Sequence, residues 1–198
     1  MLDVKSALEN KGYIVSIFET KEEAVNYLNS KIDQKIVGFG GSMTLKEMGL
    51  FEVLANHNTV YWHDAKSEDM SIHEIRLAAN RADIYISSVN GISKQGEIIN
   101  IDNTGNRVGA LSYGPSKVYL VIGKNKIADD YVSALFRARN VAAVLNAKRL
   151  HRNTPCVKGD KCYDCNSEDR ICRNLSVFWT KPVGMEYEII LINENLGY

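Results

Sequence analysis

Short runs of branched and aromatic residues alternate along this chain with amphipathic stretches of helical period, and that alternation restricts the fold more than any other feature. The β-type runs stand at 13–18, 35–39, 59–62, 83–89, 117–122, 175–180 and 187–192. Helical patterns occupy 1–11, a segment opened by the capping-box spacing of Thr20 and Glu23, then 42–54, 70–81 and 129–150. In the second of these, Ala24, Val25, Tyr27, Leu28 and Ile32 make one apolar face. Strands separated by helices pair in parallel, so the pattern predicts an α/β fold with a mixed, mainly parallel sheet flanked by helices. Two alternating runs, 97–102 and 107–112, flank the turn-rich Asn103-Thr104-Gly105-Asn106 and predict a β-hairpin lying as a flap over the glycine-rich turn described below.

At 198 residues the chain has the length of one such domain, taken as 1–198. Hydrophobic residues are 45%, which excludes a disordered or collagen-like chain. Lys+Arg and Asp+Glu balance at 24 each, so bulk charge gives no reason to expect a nucleic-acid or membrane-surface partner. No apolar run approaches the roughly 18 residues of a membrane helix and no signal peptide is apparent, which leads to an expected cytoplasmic location.

Two segments carry the chemistry. The first, GFGGSMTLKEMGL at 38–50, follows an apolar strand and opens a helix. Gly38, Gly40 and Gly41 permit a tight turn there, and Ser42 and Thr44 add hydroxyls, so backbone N–H groups and the helix dipole can hold a phosphate or carboxylate. The dinucleotide fingerprint is broken by Met43 at its third glycine, and the Gly-Lys-Ser/Thr of a P-loop is missing. The second segment, residues 83–125, puts Asn90, Gly91, Glu97, Asp102, Asn103, Arg107, Gly114 and Lys117 at strand ends or turns, where α/β folds gather ligands.

Four motifs in order, GFGGSMTL at 38–45, NGISKQGEIINIDNTGNRV at 90–108, YGPSKVYLVIGKNKI at 113–127 and NAKRLHRNTPC at 146–156, resemble the LUD family, named for lactate utilisation. The resemblance implies a fold like that of ribose-phosphate isomerases, glucosamine-phosphate deaminases and CoA transferases, with an anionic metabolite held against Gly38 to Thr44. It further implies a role beside iron-sulphur subunits in the use of lactate and related 2-hydroxy acids. Under it, Gly38, Gly40, Gly41, Ser42, Thr44, Asn90, Gly91, Asn103, Arg107 and Lys117 are candidate binding residues. Glu97 is the candidate general base or nucleophile of an isomerase or acyl transferase. Where many members carry Glu-Thr-Gly, this chain has Lys94-Gln95-Gly96-Glu97, a departure that bears on that role. A non-catalytic partner subunit and a homo-oligomer are the other readings.

All four cysteines, Cys156, Cys162, Cys165 and Cys172, fall within 17 residues around a central CxxC, a spacing suited to a thiophilic metal. It matches neither the zinc-ribbon nor the bacterial ferredoxin pattern. Zinc and an iron-sulphur cluster both remain candidates, the family's redox setting favouring the cluster. His57, His63 and His73 make no metalloprotease or triad pattern, and His151 reads as a helix-end residue.

Overall fold

The computed structural model describes residues 1–65 and 67–198. Helix α1 (Leu2–Asn10) buries Val4 and Leu8, one turn apart, and ends where Gly12 takes a left-handed φ of 88°. Strand β1 (Ile14–Phe18) leads to α2 (Lys21–Lys31), which starts on a reciprocal capping box between Thr20 and Glu23. Strand β2 (Ile36–Phe39) ends at the glycine turn, and Ser42 caps α3 (Met43–Glu47) before α4 (Leu50–Ala55). The single helix expected over 42–54 is two, because Gly49 at φ 62° takes the chain out of helical geometry. Next come β3 (Thr59–Trp62), α5 (Ile72–Asn80) on a second capping box formed by Ser71 and Glu74, and β4 (Ile84–Ser87). Strands β5 (Gly91–Ser93) and β6 (Ile98–Asp102), helix α6 (Asn106–Ser112) and β7 (Lys117–Gly123) make the central region. After β8 (Ile127–Ala128), the long helix expected over 129–150 runs as α7 (Tyr131–Arg137), a π-helical turn at Ala138–Ala142 and α8 (Ala143–Arg149). Short α9 (Pro155–Gly159), β9 (Asn174–Phe178) and β10 (Glu186–Ile192) close the chain.

Six strands form one sheet in the order β1-β10-β7-β4-β2-β3, and every pairing in it is parallel. Both faces are buried, which explains why its central strands read as continuous apolar runs. Along β7, Val118, Leu120 and Ile122 enter one core with Leu8 and Tyr85, while Tyr119 and Val121 enter the other with Phe39 and Leu28. A second sheet, β8-β5-β6-β9, is mixed and smaller.

The expected hairpin over 97–112 is corrected by the structure. Its first half is β6, but 106–112 is helix α6, and β6 instead forms a hairpin with β5 through a turn at Gly96, φ 89°. The cause is local: Asp102 Oδ1 accepts from the Asn103 N–H (2.8 Å), and its Oδ2 accepts from the N–H groups of Arg107 (3.0 Å) and Val108 (3.1 Å). That carboxylate caps a helix start which Gly105, at φ 87°, makes reachable, and Ala110 with Leu111 then buries the inner face. The alternation in Arg107–Ser112 does not outweigh a capped first turn.

Candidate functional site

Because β2 and β4 are parallel neighbours, the segments that follow them, Gly40 to Met43 and Ser88 to Asn90, leave the same edge of the sheet. Between them opens a cavity of about 220 Å3, closed on its other sides by residues from β6, α6, the π-helical turn, α8 and Tyr198. Five cationic side chains line it, Arg76, Arg107, Lys126, Arg149 and Arg152, against two carboxylates, Asp64 and Asp102. Asp102 accepts from three backbone N–H groups, which hold its carboxylate at the start of α6, so the cations still outnumber the carboxylates five to two.

The cations are held differently. Arg107 is fixed by three acceptors: Nη1 donates to Gly41 O (3.3 Å), and Nη2 donates to Asn90 Oδ1 (2.9 Å) and Ile101 O (2.6 Å). Arg149 bonds Asn146 Oδ1 and the Tyr198 hydroxyl, the latter at 2.8 Å. Arg76 and Arg152 each have a buried Nε with no hydrogen-bond partner among the described residues. Lys126 is 3% exposed, and its Nζ donates to Ser88 Oγ (3.0 Å) and Val89 O (3.1 Å), with no carboxylate in contact among the described residues. Burial, and after it the like charges of Arg137 and Arg107, push the Lys126 ammonium down to about 7 against the smaller opposing pull of Glu47. His63, also in the wall, is pulled below the ordinary histidine range by burial first, with Arg76 and Arg107 adding to it and Asp64 and Asp102 opposing.

A sequence model of the LUD domain matches residues 2–192, nearly the whole chain. The chain belongs to the LUD-domain family. Among curated proteins no sequence reaches a significant match. The crystal structure of a DUF162-family protein from Deinococcus radiodurans is similar in fold, with a TM-score of 0.52 at 12% identity over 96% of this chain and 94% of that one.

Of the residues singled out in the sequence, this LUD domain brings Gly41, Ser42, Asn90, Asp102, Asn103 and Arg107 into the cavity wall. Gly38 and Gly91 are packing glycines: a Cβ would lie 2.1 Å from Ala79 O at the first and 2.6 Å from Ala134 O at the second. Gly40 lies against Ser87 and Arg107, and its N–H donates to Ile86 O at 2.9 Å. Thr44 is buried, its hydroxyl donating to Leu196 O (3.1 Å) and accepting from Ser88 Oγ (3.3 Å). Lys117 stands at the opposite, N-terminal edge of the sheet beside Glu186 and Glu188. Glu97, in the β5–β6 turn, is outside the cavity wall and bonds Ser93 Oγ and, at 3.3 Å, Lys11 Nζ. Burial raises the Glu97 carboxyl, but Ser93, a backbone N–H and Lys11 together outweigh it and hold it below the usual range.

The cavity wall also holds Arg76, Lys126, Arg149 and Arg152, which the sequence does not single out, and His63, which makes no catalytic pattern in the sequence. Arg149 and Arg152 lay inside a quoted motif, and Arg76 sits beside the buried Ile75 on α5. Lys126 lies in the motif at 113–127, but a lysine between Asn125 and Ile127 reads as solvated.

The four cysteines are free thiols and line one small cavity of about 20 Å3, with Arg139 and Arg170 in its wall. Arg139 Nη2 donates to Cys162 Sγ at 3.5 Å, and the Thr154 hydroxyl lies 3.1 Å from Cys156 Sγ. Among the described residues no three His, Cys, Asp or Glu side chains converge on one metal-ligating point. No described helix is long and apolar enough to cross a membrane.

Proposed function

We propose that this LUD domain binds a small anionic metabolite, an organic acid of the lactate class or a phosphate ester, in the cavity at the C-terminal ends of β2 and β4. One observation carries this reading: five cationic side chains line the cavity against two carboxylates, and two of them, Arg76 and Arg152, the latter 4.0 Å from Asp169 through Nη1, keep a buried Nε that has no hydrogen-bond partner among the described residues. A buried donor left unsatisfied costs about 1–3 kcal/mol, more when charged, and an anion supplies the missing acceptor. The volume, about 220 Å3, suits a ligand of a few carbon atoms rather than a dinucleotide. Calorimetric titration of the full chain with L-lactate, pyruvate and phosphate tests it. Saturable binding that weakens as sodium chloride rises is expected, and the absence of binding for all three at millimolar concentration would refute it.

A second reading concerns the cysteine loop, as a site for a thiophilic metal or an iron-sulphur cluster. It is favoured by the shared wall of all four thiols and by Arg139 and Arg170 beside them. Four thiolates around a divalent ion leave a net negative charge that two guanidinium groups offset. Metal ligation would require the thiols to draw closer than they stand here. Anaerobic purification with metal analysis and an absorption spectrum tests it, and a metal-free protein with four titratable thiols would end it.

A further inference from the structure

Lys126 is a buried amine in the wall of a cavity built for anions, and its bonding is directional. The chain of hydroxyls beside it runs one way: Ser88 Oγ donates to Thr44 Oγ1 at 3.3 Å, and Thr44 Oγ1 donates to Leu196 O at 3.1 Å. Ser88 therefore has no hydrogen to offer Lys126 and accepts from it, and Val89 O accepts a second. An uncharged amine has two N–H bonds and one lone pair. With both hydrogens engaged, the lone pair is the free vertex, and Lys126, Ser88 and Val89 all belong to the cavity wall.

We propose that Lys126 forms an imine with a small carbonyl compound that carries an anionic group, the cavity arginines holding the carboxylate or phosphate while the amine meets the carbonyl carbon. This rests on the anion-binding reading above and names the substrate class for that site. The nitrogen lone pair attacks the carbonyl carbon and the C=O π pair moves to oxygen, which takes up a proton. A second proton lets that oxygen leave as water while the nitrogen gives up its two protons, leaving C=N, so one water is released, the protons balance and nothing is oxidised or reduced. Burial and the neighbouring guanidinium groups favour the free base, as nucleophilic lysines require.

The test is reductive trapping on the full chain. The protein is incubated with pyruvate or with dihydroxyacetone phosphate, reduced with borohydride, and mapped by peptide mass spectrometry, with L-lactate as the control that lacks a carbonyl. An adduct concentrated on Lys126 about tenfold or more over any exposed lysine is expected, since exposed amines are protonated near neutral pH. Which probe is trapped distinguishes the carboxylate from the phosphate source. The adduct should vanish in Lys126→Met and fall when sulfate competes in the wild-type protein, an arm that does not depend on the variant folding. Binding of either probe by calorimetry with no adduct on Lys126 would overturn the imine and leave the anion reading intact. Neither binding nor adduct would overturn both.

Discussion

Two lysines stand at opposite ends of β7, and their surroundings differ in sign. Lys117, at the N-terminal edge, bonds Glu186 at 2.5 Å, lies 3.3 Å from Glu188 and sits 4.7 Å above the Tyr119 ring. Burial lowers its pKa, but Glu186, Tyr119 and Glu188 outweigh it and hold the ammonium above the usual range. Glu188 is itself buried and accepts from Ser16 Oγ (2.9 Å) and the Tyr27 hydroxyl (2.7 Å), so this edge is electrically closed. Lys126, just beyond the C-terminal end of the same strand, has hydroxyl and carbonyl partners and cationic neighbours. One edge of the sheet is neutralised from within the protein, and at the other the cations outnumber the carboxylates, which is where the proposed anion would bind. The lesson is that an ion-paired lysine holds the fold, while an uncompensated one identifies where a ligand is expected.

The largest effect expected of breaking this contrast comes from Glu188→Ala. It strips the closed edge of its buried carboxylate and should cost about 3 kcal/mol in urea unfolding. Anion affinity, measured by calorimetry, should stay unchanged, and a loss of binding would mean that the two edges are not independent. Arg76→Met acts on the other edge. It should weaken anion binding about tenfold or more, the value of a hydrogen bond to a charged group, with stability equal to or above wild type. A destabilised Arg76→Met that binds normally would assign Arg76 to the fold.

The third prediction uses pH. Because the folded-state pKa of Lys126 is depressed, the unfolded chain binds the extra proton between about 7 and the ordinary lysine range near 10.4, and stability rises with pH through that window. Unfolding of wild type and Lys126→Met at pH 7 and 9 should therefore show the wild type gaining relative to the variant. An unchanged or opposite difference would place Lys126 in a compensated setting like that of Lys117. The smallest effect belongs to Glu97→Gln: with an exposed-side partner in Lys11 and a bond from Ser93, it should change stability by about 1 kcal/mol or less and leave anion binding as it was. Lost binding in that variant would return Glu97 to the site.

Much of this architecture was legible along the chain because its determinants are local. The capping box of Thr20 and Glu23, the stop at Gly12 and the doubly buried runs of β7 and β10 are all written in neighbouring residues. Helix α6 was not legible, since its cap is the side chain of Asp102, several residues upstream and read as part of a strand. Of the cavity, the turn residues Gly41 and Ser42 and the side chains Asn90, Asn103 and Arg107 were legible as loop chemistry after strands. Lys126 and Lys117 could not be told apart, because what separates them is the charge brought by Glu186 and Glu188 from β10, a strand far away in sequence.

The most direct measurement is a crystal structure of the full chain grown with phosphate, refined for anion density at both ends of β7. The account predicts one phosphate within hydrogen-bonding reach of Arg76 Nε or Arg152 Nε in the cavity, and none beside Lys117. Phosphate at Lys117, or a cavity holding only water while Arg76 and Arg152 turn to protein acceptors, would contradict it.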